Sequence, residues 1–321
     1  MGKLLLGVGL TLLLMCRPED AANGAREALC QWYYVVAPSL YPFMALMPLL
    51  TCPEANRCYD AALGGVMRRL FGLPGSAASP MIVGMLAGSP AGCAASRAVA
   101  MEEGYTRGQL ERVAMACCGM SPAFFISAVG AGMLGDVALG HVLLRSQVMA
   151  QLSMLALTGV FCRDEEGIRR VENDAGGNPV LTIMNVAGTM ALFGAIAGAL
   201  RLPWLCLALE ITAGSRWLCA ANMEVRWRMA ALSALAGYGG LCVCAQNISV
   251  LRDCGVKPVK LVLARCLAGA LAAGFSLMQT EFIGSGIPSI NARTVSISCI
   301  LAVFLAVPAV LRLRKQSFNM F

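Results

Sequence analysis

The sequence GSPAG at residues 88–92 interrupts an apolar stretch that extends over residues 77–101. Serine is a favourable helix N-cap, and proline suits the first helical position because its missing N–H has no intrahelical partner there. Ser89 and Pro90 therefore predict that one helix ends and another begins inside this stretch. Because each half is too short to cross a bilayer, the pattern predicts a re-entrant helical hairpin over residues 77–101.

The composition of the whole chain indicates an integral membrane protein. Of its 321 residues, 58% are hydrophobic and only 13% are charged, which leaves too little polar surface for a soluble domain of this size. The 34 glycines suit closely packed transmembrane helices. We predict one polytopic, all-α domain over residues 1–321 in the cell membrane. The net charge of +7 is accompanied by basic residues in short loops, which indicates membrane topology and not nucleic-acid binding.

Apolar runs predict the other membrane segments. The run at residues 4–15 has the length of a signal peptide, but no small-residue cleavage site follows, which favours a retained helix. The run at residues 29–50 is interrupted by three prolines, and residues 58–73 predict a basic interfacial helix. Further spans are predicted at residues 137–161, 180–200, 202–221, 259–278 and 295–311.

Two more interruptions resemble the first one. A Ser-Pro pair recurs at Ser121 and Pro122, and a glycine-rich sequence interrupts residues 229–250, where we predict a second re-entrant hairpin. Breaks at corresponding places in two halves, residues 29–161 and 179–311, are typical of inverted-repeat transporters with a central binding site. The alternative for each single break is a kink that serves helix packing.

The breaks also indicate what a central site binds. A helix that begins at a Ser-Pro pair presents free N–H groups and partial positive charge, which favours a carboxylate. Glycines at the breaks allow a ligand to approach the backbone closely. We therefore predict substrate contacts from Gly88, Ser89, Pro90, Gly92, Ser121, Pro122, Glu210, Thr212, Gly239, Gly240 and Gln246.

Two charged residues have candidate roles at this site. Glu210 lies well inside an apolar span, where a charge costs about 2.5–3.5 kcal/mol, so we expect it to couple transport to a proton or Na⁺. The alternative is an ion pair with Arg216 near a helix end. Arg97 either neutralises the substrate or extends to the cytoplasmic face of the membrane.

Enzyme and metal chemistry lack their usual motifs. The chain has 15 cysteines but no Cys-x-x-Cys pair, and its single histidine makes a zinc site or a catalytic triad improbable. A phosphate-binding loop ending in Gly-Lys-Ser/Thr is also absent from the sequence. We predict a protein that is not an enzyme and that uses no cofactor or metal beyond a coupling proton or Na⁺.

Five motifs occur in the order found in a known family, and together they cover the chain from about residue 29 to residue 311. The chain resembles the YlbJ-type sporulation integral membrane proteins, which carry the nucleoside-recognition gate domain and are similar to concentrative nucleoside transporters. The motifs are YPF at 41–43, GSPAG at 88–92 with Arg97, SPAFFI at 121–126, LEITAG at 209–214, and GYGGL at 237–241 followed by Ala245 and Gln246.

The resemblance implies a secondary transporter that exports the small anion dipicolinate during spore formation in an endospore-forming bacterium. One departure leaves the substrate open, because Cys244 stands where the resemblance leads us to expect a histidine. A nucleoside-type solute is the first alternative, and a non-transporting membrane scaffold is the second. The expected partners are a small anion or nucleoside-like solute and the lipid bilayer, and assembly into a homo-oligomer is left open.

Overall fold

The computed structural model describes residues 1–161 and 178–284, and all of its regular elements there are helical. The predicted span at residues 295–311 lies outside the described residues. Four helices of the described part are long and apolar enough to cross a membrane. They support a multi-pass integral membrane protein, and they are Pro18–Leu50, Pro179–Leu200, Val225–Val250 and Pro258–Thr280.

The N-terminal part of the chain forms two helical segments. Helix α1 (Gly2–Cys16) precedes a 33-residue helix that consists of α2 (Pro18–Gln31), a π-helical turn (Trp32–Val36) and α3 (Ala37–Leu50). The predicted interruption of residues 29–50 by prolines is therefore wrong. Membrane helices tolerate proline where neighbouring groups satisfy the freed carbonyls, and the wider π-helical turn precedes Pro38 here.

The first arm of the predicted first hairpin is the second member of a bent pair of helices. Helix α4 (Pro53–Val66) continues through a π-helical turn (Met67–Phe71), and a 96° bend separates this segment from a short 3₁₀ turn (Gly75–Ala77) and α5 (Ala78–Ala87). After a break at residues 88–90, α6 (Ala91–Glu103) packs beside α5. A Cβ atom on Gly92 would lie 2.8 Å from the Cα of Gly84, so the chain doubles back at the break.

The next helix is broken in the way that its Ser-Pro pair predicts. Helix α7 (Arg107–Cys117) begins with a capping box between Thr106 and Gln109, and the non-helical residues 118–121 follow it. The Ser121 hydroxyl then accepts a hydrogen bond from the Phe124 N–H at 3.3 Å, and a π-helical segment (Phe124–Leu134) follows. Helix α8 (Val137–Phe161) has the predicted bounds.

The predicted single span at residues 202–221 is wrong. After α9 (Pro179–Leu200), a 3₁₀ turn (Pro203–Leu205) and α10 (Cys206–Leu209) end at Glu210, where the backbone is extended, and α11 (Ile211–Ala220) begins. A Cβ atom on Gly214 would lie 3.2 Å from the Cα of Leu207, so α10 and α11 lie side by side. The helix is interrupted here because the Glu210 side chain caps the N-terminus of α11.

The second hairpin predicted over residues 229–250 is also wrong. Helices α12 (Val225–Tyr238) and α13 (Gly240–Val250) are interrupted only at Gly239, and together they form one span of 26 residues. Both Gly239 and Gly240 have positive φ angles, which end one helix and begin the next without reversing the chain. The hairpin-like element of this half is the α10–α11 pair.

A long helix and close glycine contacts complete the fold. After a 3₁₀ turn (Arg252–Cys254), α14 (Pro258–Gly284) packs along α12, and a Cβ atom on Gly237 would lie 2.5 Å from the Cα of Gly269. Helices α2 and α9 approach equally closely, because a Cβ atom on Gly194 would lie 2.6 Å from the Gly24 carbonyl oxygen. The predicted role of glycine in close helix packing is confirmed at these two interfaces.

Candidate functional site

The break in the α5–α6 hairpin contacts the break after α7. The N–H of Ser89 donates a hydrogen bond to the carbonyl oxygen of Gly119 at 2.7 Å. A Cβ atom on Gly88 would lie 2.7 Å from the backbone nitrogen of Ser121, and Gly88 has a φ of +79°. Glycine is therefore required at this position both for its backbone conformation and for the close approach.

The break between α10 and α11 contacts the break between α12 and α13 in the same manner. A Cβ atom on Gly240 would lie 2.9 Å from the carbonyl oxygen of Leu209 and 3.2 Å from the nitrogen of Glu210. Gly240 has a φ of +77°. Each half of the described chain thus places the tip of a doubled-back pair of helices against the interruption of a longer helical segment.

One small cavity borders three of the four breaks and the part of α13 that follows the fourth. Its volume is about 60 Å³, which is room for a few water molecules or for part of a small solute. The lining includes residues at or beside three of the breaks and residues from the first two turns of α13. These residues are Ser89 with Ala87, Ser121 with Met120 and Phe124, Glu210 with Ile211 and Thr212, and Cys242, Val243 and Gln246 of α13. The rest of the lining comes from two other helices. Helix α9 contributes Val186 and Met190, and the 33-residue helix Pro18–Leu50 contributes Val35, Val36, Ser39 and Leu40.

Five of the eleven predicted contact residues line this cavity, and the other six are not part of its lining. The lining residues are Ser89, Ser121, Glu210, Thr212 and Gln246. The predicted residues that the structure places at the breaks, outside the lining, are Gly88, Pro90, Gly92, Pro122, Gly239 and Gly240. The glycines among them bring backbones together, as described above for Gly88 and Gly240.

The predicted N-cap role of Ser89 is wrong. Helix α6 begins at Ala91 and has no side-chain cap, and the Ser89–Pro90 peptide bond is cis. The Ser89 hydroxyl instead accepts a hydrogen bond from the Asn247 amide at 3.2 Å. The N–H of Gly92 donates to the Gly88 carbonyl at 3.0 Å, so this donor of the first turn of α6 already has an acceptor within the chain.

Glu210 is the N-cap of α11. Its two carboxylate oxygens accept hydrogen bonds from the N–H groups of Thr212 at 3.0 Å and Ala213 at 2.7 Å, and only 4% of the residue is exposed. The alternative ion pair with Arg216 is wrong, because Arg216 lies 3.4 Å from the Glu27 carboxylate on α2. The positive end of a short helix therefore stabilises the Glu210 carboxylate without a basic partner.

Helix α13 connects the cavity to its neighbours through two adjacent amides. Gln246 donates a hydrogen bond to the Thr189 hydroxyl of α9 at 2.9 Å. Asn247, which is fully buried, donates to Ser89 across the cavity wall. The sequence interpretation missed Asn247 and Thr189. Asn247 directly follows Gln246 in an apolar helix, and this adjacency was the available signal.

Arg97 lies away from the cavity. Its guanidinium donates to the carbonyl oxygen of Val250 at 3.2 Å, at the C-terminus of α13, and the residue is 7% exposed. A cation at this position compensates the negative end of the helix. The structure thus gives Arg97 a capping contact, and it does not place the guanidinium among the residues that line the cavity.

Arg265 makes an equivalent contact that the sequence interpretation missed. It is 1% exposed, and its guanidinium donates to the carbonyl oxygens of Tyr238 and Ala236, both at 3.2 Å. These carbonyls belong to the last turn of α12, directly before the Gly239 break. The sequence signal for Arg265 was a single arginine inside the apolar run at 259–278. An ionisable residue inside an apolar span is a candidate functional residue, which is also the reason for selecting Glu210.

The electrostatics of the cavity are simple. Among the described residues that line it, Glu210 alone carries a charge, and the remaining polar groups are hydroxyls, a thiol and an amide. Residues 1–161 and 178–284 contain no group of three or more His, Cys, Asp or Glu side chains that is arranged to hold a metal ion. The arrangement suits a solute that is held by neutral hydrogen bonds and faces one acidic group.

Comparison with known proteins agrees with this architecture. The chain is 24% identical to the sporulation integral membrane protein YlbJ of Bacillus subtilis (strain 168) over 325 aligned positions, which cover 84% of this chain and 80% of the relative. No family model matches the sequence, and no solved structure matches it. The extent of this similarity and the membrane-length helices support a multi-pass integral membrane protein of the YlbJ type.

Proposed function

We propose that this protein acts in a membrane during sporulation as a secondary transporter of a small carboxylated solute, with dipicolinate as the first candidate. The sporulation role is inferred from the name of the Bacillus relative, and the substrate is inferred from the resemblance of the motifs to that family. The observation that carries the transport proposal is that four helix interruptions meet in two pairs beside one cavity. Interrupted backbone at membrane depth is tolerated where protein or a water-filled cavity surrounds it.

The arrangement of the breaks supports an inverted repeat. The first unit consists of the α5–α6 hairpin and the broken segment from α7 to Leu134. The second unit consists of the α10–α11 pair and the broken segment from α12 to Val250. In each unit a glycine brings the two interruptions within van der Waals distance, Gly88 in the first and Gly240 in the second. In inverted-repeat transporters the substrate site lies between such units, and movement of one unit against the other gives alternating access.

The single charge in the lining constrains how a carboxylated solute enters. A dianion beside the Glu210 carboxylate meets like charge, and the described part of the lining supplies no basic side chain to offset it. A proton or Na⁺ that binds with the solute removes this repulsion. We therefore propose that Glu210 couples transport to one of these cations and that its neutralised form accepts the solute.

A nucleoside-type solute is the second candidate, and the neutral lining favours it. The hydroxyls of Ser89, Ser121 and Thr212 and the amide of Gln246 supply donors and acceptors that match a sugar and a base without any charge. Such a solute needs no neutralisation of Glu210 to enter. The two candidates thus differ in whether uptake requires a coupled cation.

Uptake into proteoliposomes tests the proposal. The purified full chain is reconstituted, and entry of labelled dipicolinate and of labelled uridine is measured with and without a proton or Na⁺ gradient. Glu210→Gln is compared with Glu224→Gln, the same change at an exposed position before α12. We expect cation-dependent dipicolinate uptake by the wild type and by Glu224→Gln, and a several-fold loss of the gradient-driven part of this uptake in Glu210→Gln. Uptake of neither solute by the wild type rejects transport and favours the scaffold alternative.

A further inference from the structure

Two cysteines meet at the contact between the α5–α6 hairpin and the break after α7. The Sγ atoms of Cys93 and Cys118 lie 2.8 Å apart, and both residues are completely buried. A disulfide has an S–S distance of about 2.05 Å, so a small movement of the two side chains is enough to bring the sulfurs to bonding distance. This proximity joins residues 25 positions apart in the sequence.

The position of this pair relates it directly to the proposed transport site. Cys93 is in the first turn of α6, and Cys118 is the first residue after α7. The next residue, Gly119, accepts the hydrogen bond from Ser89 at the tip of the hairpin. A covalent bond between the two cysteines would therefore act on the same two elements that this backbone hydrogen bond connects.

We propose that Cys93 and Cys118 form a redox-sensitive pair whose disulfide locks the α5–α6 hairpin to the α7 break. The oxidant is a small, uncharged disulfide or azo compound that enters when the hairpin moves. For a small disulfide, one cysteine thiolate attacks a sulfur and releases the first small thiol. The second cysteine then attacks the mixed disulfide and releases the other, so two thiols are oxidised, one small disulfide is reduced to two thiols, and two protons pass to the released thiolates.

A neighbouring cysteine provides the matched control. Cys117 is as completely buried as Cys118 and directly precedes it, but its Sγ lies 3.4 Å from the sulfur of Met81. Substitution of Cys117 by serine therefore removes an equally buried thiol from the same segment without touching the proposed pair. Cys93→Ser and Cys118→Ser each remove one member of the pair.

Peptide mapping tests whether the disulfide forms. The reconstituted full chain is treated with diamide, which takes up both electrons and both protons as it is reduced to its hydrazine form. Free thiols are then alkylated under denaturing conditions, and the chain is cleaved with trypsin. We expect a linked pair of peptides covering residues 70–97 and 113–145, in which Cys93 is bonded to Cys118, in the wild type and in Cys117→Ser. Absence of this link from the wild type, or its persistence in Cys118→Ser at the wild-type level, overturns the proposal.

Flux measurements test the locking effect, which rests on the proposed transport function. We expect diamide to reduce solute uptake several-fold in the wild type and in Cys117→Ser, with recovery after addition of a dithiol reductant, and to have little effect on Cys93→Ser. Unchanged uptake by a chain whose peptides are fully linked overturns the lock. Failure of the transport proposal is distinguishable, because the unoxidised wild type then carries no solute while the linked peptides still appear.

Discussion

The N–H of Ser89 lies 2.7 Å from the carbonyl oxygen of Gly119, which ties the tip of one helical hairpin to the interruption of the following helix. The backbones approach this closely because Gly88 has no side chain. A similarly close backbone approach occurs in the second half of the described chain, where a Cβ atom on Gly240 would lie 2.9 Å from the carbonyl oxygen of Leu209. Stability and proposed transport therefore depend on backbone contacts that small residues permit.

Gly88→Ala is expected to unfold at a lower temperature and to lose solute uptake. Its φ of +79° costs an alanine about 1–3 kcal/mol, and the added Cβ also meets the Ser121 nitrogen at 2.7 Å. Gly104→Ala is the control, because Gly104 has a φ of +68° but open space around its Cβ position. Thermal unfolding in detergent gives the comparison, and equal losses in the two variants contradict the contact.

Glu210→Ala is expected to be less stable than Glu210→Gln. Alanine leaves the N–H groups of Thr212 and Ala213 without their carboxylate acceptor, which costs about 1–3 kcal/mol, while glutamine retains one oxygen. Both variants are also expected to lose the dependence of uptake on a proton or Na⁺ gradient, since neither retains the carboxylate. Uptake in Glu210→Gln that still follows the gradient as in the wild type argues against coupling at this residue.

Arg265→Met is expected to destabilise the protein by about 2–5 kcal/mol, because the carbonyls of Ala236 and Tyr238 lose a buried, charged donor. Arg265→Lys is expected to recover only part of this loss, since one ammonium group does not reproduce the planar fork of a guanidinium. The control is Arg252→Met at an exposed position. Thermal unfolding in detergent measures all three, and a lysine variant as stable as the wild type contradicts the bidentate contact.

Local chemistry made some elements predictable from the sequence. The helix at Val137–Phe161 follows from the length of its apolar run, and the break at residues 88–90 follows from glycine and proline, whose backbone preferences act locally. The α10–α11 break was missed because Glu210 was interpreted as a residue inside a continuous helix. Its capping role depends on a side chain that turns back to its own backbone, and an apolar pattern does not reveal this.

Tertiary direction was the other property that local patterns did not determine. Gly239 and Gly240 correctly indicated a helix interruption, but the same glycines are compatible with a chain reversal or with a second helix in the same direction. In the structure α13 continues the span of α12, and α12 packs against α14. For the site, the sequence predicts a shared cavity because breaks in membrane helices cluster at cavities. The predicted residues that line it are Ser89, Ser121, Glu210, Thr212 and Gln246. Asn247 and Arg265 were missed, since their roles depend on partners that are distant in the sequence.

Gly188 and Gly194, both in α9, allow the effect of helix packing on stability to be distinguished from the effect of helix propensity. A Cβ atom on Gly194 would lie 2.6 Å from the Gly24 carbonyl oxygen and 2.7 Å from the Cβ of Ala28, whereas Gly188 has nothing within 4 Å. Gly194→Ala is therefore expected to push α2 away from α9 and to lower the unfolding temperature. Gly188→Ala is expected to be neutral or slightly stabilising, because alanine favours a helix by about 1 kcal/mol over glycine. Thermal unfolding compares the unfolding temperatures of the two variants. Equal unfolding temperatures would mean that the α2–α9 contact does not contribute to stability.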